Sequence, residues 1–187
     1  MRHEPRIVRL GQGDTERVVA LHRRCSAHTL WSRYHRAMGD PGSYLGALLS
    51  RRGSVHLAVR GPSGRLVAVG HLMPDNGNAE AALLVEDAWQ NKGLGTRLLD
   101  GLGRSAVEQG WGEVYGLILA GDERMTAMLR RTGVPIRHVR EGGVTTARAQ
   151  TSDIAGVLFP QRGRLCRRRP VRAGRGAVER PWRPRAE

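Results

Sequence analysis

Phenylalanine and lysine each occur once in this chain of 187 residues, and cysteine occurs twice. Aromatic residues make up only 4% of it, so a core has to be built from Leu, Val, Ala and Met; at 40% hydrophobic residues there is enough material for one. Cys25 and Cys166 cannot form a disulfide framework, and there is no CxxC or Cys/His cluster at zinc spacing. No stretch approaches the ~18 apolar residues of a membrane span. The first ten residues mix charged with apolar side chains and contain no signal-peptide core. These absences lead to the expectation of a cytoplasmic protein, monomer or homodimer, with no metal and no membrane contact.

What is plentiful is arginine. The net charge is +14, and Lys92 is the lone lysine among 31 basic residues. The excess is uneven: residues 161–187 hold ten arginines and two glutamates. A pI near 11.5 ordinarily points toward nucleic acid or a membrane surface. Here more than half the excess charge sits in that final segment, and the body is only mildly basic. The segment has no apolar period and is broken by Gly and Pro, so residues 156–187 read as a disordered tail behind a domain at residues 1–155.

Within the domain the hydrophobic period alternates between helix and strand. Val18, Leu21 and Cys25 are spaced as on a helix after Asp14. Ser26 can cap a second helix carrying Leu30, Tyr34 and Met38, stopped at Gly39. Asp40-Pro41 opens a third with Tyr44, Leu45, Leu48 and Leu49. The period then falls to two for Val55, Leu57 and Val59, and Gly61-Pro62-Ser63-Gly64 turns the chain into a second extended run, Arg65 to Met73. After the turn signal at Pro74 to Asn78, Ala79 to Glu86 forms a third strand. Leu94, Leu98, Leu102 and Ala106 recur every four residues in a helix that contains Gly101 and Gly103, each costing roughly 1 kcal/mol against Ala. A strand over Glu113 to Leu119 follows. Next comes a helix capped by Asp122 with Met125, Met128 and Leu129 inward, then a hairpin to Gln150. The order β-α-α-α-β-β-β-α-β-α-β-β predicts a mixed α/β fold with a mostly antiparallel sheet flanked by helices. The strand–helix–strand step from 79 to 119 supplies one parallel pair.

The chemistry-bearing stretch is Gln90-Asn91-Lys92-Gly93-Leu94-Gly95-Thr96, between the end of a strand and the start of a helix. A helix N-terminus exposes unpaired N–H groups and partial positive charge, and glycines let that backbone approach an anion. The Walker pattern is absent because Lys92 precedes the first glycine. The dinucleotide pattern GxGxxG fails because Leu98 occupies its third glycine position. Gln-x-x-Gly-x-Gly at Gln90 to Gly95 resembles the pyrophosphate loop of the GNAT superfamily of coenzyme A-dependent N-acyltransferases, and the order of elements from about residue 5 to 150 resembles that family too. The Thr29-Leu30-Trp31-Ser32-Arg33-Tyr34 string further resembles bacterial protein-lysine acetyltransferases of the Pat type.

The resemblance implies a GNAT fold and an acetyl-CoA-dependent acetyltransferase that passes the acetyl group to a primary amine by direct attack in a ternary complex. It implies that N–H groups from Gln90 to Thr96 hold the pyrophosphate. Leu84 and Val85 would pair with the pantetheine arm, and the thioester would sit where the fourth and fifth strands splay. Lys92 and Arg97 are placed to add charge near the phosphates. An amine is mostly protonated at neutral pH, so a base is required. Glu80, on the strand leading into the loop, stands where many GNAT enzymes carry a glutamate; by alternation it shares a face with Ala82, Leu84 and Glu86. His71 and Glu86 are alternatives. The family's usual tyrosine on the helix after the fifth strand has no counterpart here, and Tyr34, from the second helix, is the substitute acid. Asp122 stands where the family usually has Asn. The acceptor, a small amine or a protein lysine, is not legible in the sequence. Two other readings stand beside the transferase. One is a noncatalytic GNAT-fold module that binds acyl-CoA as a regulator. The other is a nucleic-acid-binding protein acting through weak contacts of the arginine-rich tail, which has Trp182 but no interleaved aromatics.

Overall fold

The computed structural model describes residues 6–158. Residues 159–187, and with them nearly all of the segment expected to be disordered, lie outside the described residues. Among the described residues seven strands form one sheet: β1 (Arg6–Arg9), β2 (Val55–Arg60), β3 (Leu66–Asp75), β4 (Asn78–Val85), β5 (Glu113–Leu119), β6 (Arg137–Glu141) and β7 (Val144–Gln150), ordered β1-β2-β3-β4-β5-β7-β6. Every neighbouring pair is antiparallel except β4 and β5. The helices are α1 (Thr15–His22), α2 (Ala27–Tyr34), α3 (Gly42–Ser50), α4 (Leu94–Glu108), α5 (Glu123–Thr132) and the short α6 (Thr151–Ile154), the last not expected from the sequence. Among the described residues no helix is long and apolar enough to cross a membrane.

The sheet separates two apolar cores. On one face Val18, Leu21, Leu45 and Leu49 of α1 and α3 pack on Ala58, Val69 and Leu84. On the other, Leu94, Leu98, Leu102 and Ala106 of α4 pack on Val55, Leu57, Val67 and Leu72. The four-residue spacing of α4 is therefore the stripe that meets the sheet. Its internal glycines have a tertiary cause. A Cβ on Gly103 would lie 2.7 Å from the backbone nitrogen of Ala155, so glycine lets the chain around α6 lie against the helix; one on Gly101 would meet only the tip of Leu57, at 2.9 Å.

One helix is shorter than its apolar spacing predicts. The second helix ends at Tyr34, with His35 left-handed at φ 56°, so Met38 lies outside it and Gly39 is not its stop. The chain turns there and continues to α3, whose Tyr44 ring meets Tyr34 edge-to-face at 5.7 Å.

Candidate active site

β4 and β5 hold register only at Ala79–Val114 and Glu80–Tyr115. Beyond that point β4 stays paired with β3 up to Val85, while β5, paired with β7 along its whole length, keeps β7 alone. The edge of β4 from Ala82 to Val85 thus has no strand partner on the β5 side. Two cavities open along this divergence. The larger, about 780 Å³, lies between the strands under α2, α3 and α5. The smaller, about 310 Å³, runs along the loop ahead of α4. Ser32, Arg33, Leu83, Met125 and Met128 line both, so the two form one cleft.

The smaller cavity is lined by Gln90, Asn91, Gly93, Leu94, Gly95 and Thr96. The N–H of Gln90 donates to the Asp87 carbonyl and that of Arg97 to the Gly93 carbonyl; among the described residues none of the six N–H groups from Asn91 to Thr96 makes a hydrogen bond. The first turn of α4 presents its orphan donors toward this space. Gly93 caps the helix at φ 76°, a left-handed conformation that a side chain would strain. At Gly95 a Cβ would lie 2.8 Å from the sulfur of Met128, a flexible side chain of α5 that would have to shift. Leu94 points down into the core. Lys92 donates to the Ala88 carbonyl at 2.8 Å and stacks on the Trp89 ring, 4.7 Å from its centre.

A side-chain network that sequence reasoning missed fixes this loop to α2. The Asp87 carboxylate accepts from the Ser26 N–H (2.8 Å), the Ser26 hydroxyl (2.7 Å) and the Thr29 hydroxyl (2.8 Å). The Gln90 amide donates to Thr29 Oγ1 and to the Val85 carbonyl, both at 3.1 Å, and accepts from Arg124 of α5. Gln90 therefore acts as a strut between β4, α2 and α5. Asp122 does the same on the other side: its carboxylate caps α5 through the Met125 N–H at 3.0 Å and accepts from the Ser32 hydroxyl. Both partners are donors, which explains how a carboxylate is accommodated there. The cap at Ser26 was legible in the sequence; its pairing with Asp87, 61 positions away, was not.

Glu80 lines the larger cavity, half-buried, opposite Tyr115. Burial raises its carboxyl above the ordinary range, with Asp75 adding to the rise and the Arg33 and Arg51 guanidiniums drawing it back. Leu84, on the same strand face, is buried against the α1–α3 layer. Tyr34 also lines the cavity, but its hydroxyl donates to Nε2 of His22, whose Nδ1–H is taken by the Val18 carbonyl at 2.7 Å. Burial pushes the Tyr34 phenol up to about 12. The Tyr115 hydroxyl donates to Asp75 at 2.7 Å. The alternative bases are occupied. His71 is fully buried against His56, Nδ1 to Nδ1 at 2.9 Å, and Glu86 is paired with Arg24 and Arg65, each at 3.0 Å. Met125 and Met128, expected in the core, are half-buried and line the cleft, because α5 covers the gap between the strands and buries no residue fully; Met128 also packs against the α4 core.

No family model matches the chain, and no curated protein sequence does. Solved structures do. The GNAT domain of Pat from S. lividans superposes with a TM-score of 0.71 at 21% identity, over 78% of this chain and 90% of that one. YncA from Salmonella typhimurium, solved with its cofactor acetyl-CoA, gives 0.62 at 17% identity over 79% and 94%. A chimera of the spermidine N-acetyltransferase SpeG from Vibrio cholerae gives 0.61 at 13% identity over 81% and 98%. The fold is that of the GNAT acetyltransferases. At these identities the likeness fixes the architecture, and the chemistry has to be argued from this chain's own cleft.

Proposed function

We propose that the protein is an acetyl-CoA-dependent N-acetyltransferase acting by direct transfer to an amine. The observation that carries this reading is the set of unpaired N–H groups from Asn91 to Thr96, five of the six on residues lining a cleft that leads between diverging strands to a half-buried carboxylate. Such donors at a helix start suit a pyrophosphate. The unpartnered edge of β4 toward Val85 suits the amide-bearing pantetheine arm, by strand-like pairing. When bound, acetyl-CoA supplies a thioester carbon open to attack by an amine. Glu80 takes the proton the amine must lose, directly or through water; its raised pKa makes it a better base than an exposed carboxylate. The N–C bond forms as the C–S bond breaks, and the sulfur leaves as thiolate and takes up one proton. Asp87, Gln90 and Asp122 hold α2, the loop and α5 in fixed relation around the cleft.

One observation favours a second reading, a noncatalytic acyl-CoA-binding module. Toward the cleft α5 offers Met125 and Met128, and the Tyr34 and Tyr115 hydroxyl protons are held by His22 and Asp75. Titration calorimetry with acetyl-CoA, run beside a free-thiol assay across amino acids, polyamines, aminoglycosides and lysine peptides, separates the two. Binding with amine-dependent thiol release is expected. Binding without release on any amine supports the regulatory module, and no binding refutes both.

A further inference from the structure

We propose that the acceptor is a small amine bearing an anionic group, of amino-acid type, and that Arg33 and Arg36 at the end of α2 receive that group. The proposal rests on the transferase reading above and adds a substrate class to it. Among the described residues that line the larger cavity, Glu80 is the only carboxylate, against Arg33, Arg36, Arg51 and Arg148. Two of these arginines have other attachments: Arg51 donates to the Pro74 carbonyl at 3.1 Å, and Arg148 lies 3.8 Å from Glu113. Arg33 and Arg36 have no carboxylate partner among the described residues. Each guanidinium instead lies over a ring, Arg33 over Tyr34 at 4.6 Å and Arg36 over Tyr44 at 5.8 Å, and the two rings meet edge-to-face.

Arg33 is the telling case. Its Nε is buried and without a hydrogen-bond partner, whereas the partly buried Arg24 is matched to Glu86. An orphan charged donor is costly unless a ligand completes it. Its charge acts on Glu80, which puts the guanidinium within electrostatic reach of the base. An amine placed at Glu80 can therefore extend an anionic end toward α2. A guanidinium there offers planar paired donors that suit carboxylate or phosphate-type oxygens. A polyamine or aminoglycoside would bring further positive charge against four arginines and be rejected. A cavity of about 780 Å³ that must also admit the acyl arm leaves room for a small molecule.

The test uses matched pairs on the full chain: β-alanine and γ-aminobutyrate, each against its carboxamide, with spermidine as the polycation. The distal amine is alike within a pair and only the anion differs. The acids should exceed their amides in kcat/KM by about tenfold or more, the worth of one charge-assisted contact. Arg36→Gln, an exposed position lining only the larger cavity, should erase that preference while acetyl-CoA affinity stays at the wild-type value. Amides or spermidine turned over as well as the acids would overturn the substrate class and leave the transferase reading standing. If no amine is turned over, calorimetry of the CoA-saturated protein with γ-aminobutyrate and its amide decides the class alone. Acid-selective binding lost in Arg36→Gln supports it; equal binding, or none, overturns it.

Discussion

Asp87→Ala tests whether the loop and α2 act as one unit. The carboxylate accepts three hydrogen bonds at 2.7–2.8 Å from Ser26 and Thr29, and the Ser26 hydroxyl in turn caps the Thr29 N–H at 3.2 Å. The Ser26 cap itself survives the substitution. Three bonds to a carboxylate at an exposed position contribute roughly 1 kcal/mol after solvent screening. For a chain of this size that lowers the melting temperature by ~2–4 °C. Asp87→Asn keeps one acceptor oxygen and should lose about half as much. The pH dependence follows from the direction of the Asp87 pKa. Burial works to raise it, but the bonds from Ser26 and Thr29 outweigh burial and hold it below the ordinary carboxylate range. Its contribution is present above the unfolded pKa and is lost as pH falls through the folded one. The deficit of Asp87→Ala should therefore be full at neutral pH and shrink in strong acid. Acetyl-CoA affinity should fall as well, because Thr29 and Gln90 share the network that shapes the loop. Differential scanning calorimetry across pH, with titration calorimetry of acetyl-CoA, measures both. A variant that melts within about 1 °C of wild type at neutral pH refutes the tether.

Glu80→Gln should lower kcat by ~10²–10⁴-fold with acetyl-CoA affinity unchanged; because burial raises the Glu80 pKa, removing its charge should also raise the melting temperature at neutral pH. Turnover within a few-fold of wild type would show that Glu80 is not the base. Gly103→Ala gains ~1 kcal/mol of helix propensity but drives a Cβ into the Ile154–Ala155 backbone, for a net loss of about 1–2 kcal/mol; Gly101→Ala, meeting only the Leu57 tip, should be near neutral or stabilising in urea unfolding. Burial lowers His22 and His56 to about 4, so they stay neutral in the folded state while the unfolded chain takes up protons. Stability should fall as pH drops from 6.5 toward 4, and a flat melting curve over that window would contradict the buried neutral pairs.

Local periodicity was enough to find the strands, the stripe of α4 and the glycine loop before it. Each of those signals sits within one or two turns of chain, where side-chain spacing alone states which face is apolar. The loop from Gln90 to Thr96 was legible for the same reason, since a strand end, a glycine and a helix start are neighbours in sequence. What spacing cannot state is which element lies opposite that face. Met125 and Met128 have the spacing of core residues, but α5 lies over a gap where β4 and β5 have parted, so they line the cleft. The cost of Gly103 was visible and its cause was not, because the chain it admits is about 50 residues away at Ile154 and Ala155. Spacing places Tyr34 on the second helix without saying what its hydroxyl meets, and the His22 ring that accepts from it comes from another helix. The partners of Asp87, Ser26 and Thr29, are about 60 residues away and follow only from the packing of α2 on the loop. Arg33 was one arginine among many until the tertiary fold put it at the junction of both cavities with its Nε buried and unmatched. These decisions belong to the packing of whole elements across the sheet, where burial and hydrogen bonding are set by neighbours that the sequence does not adjoin.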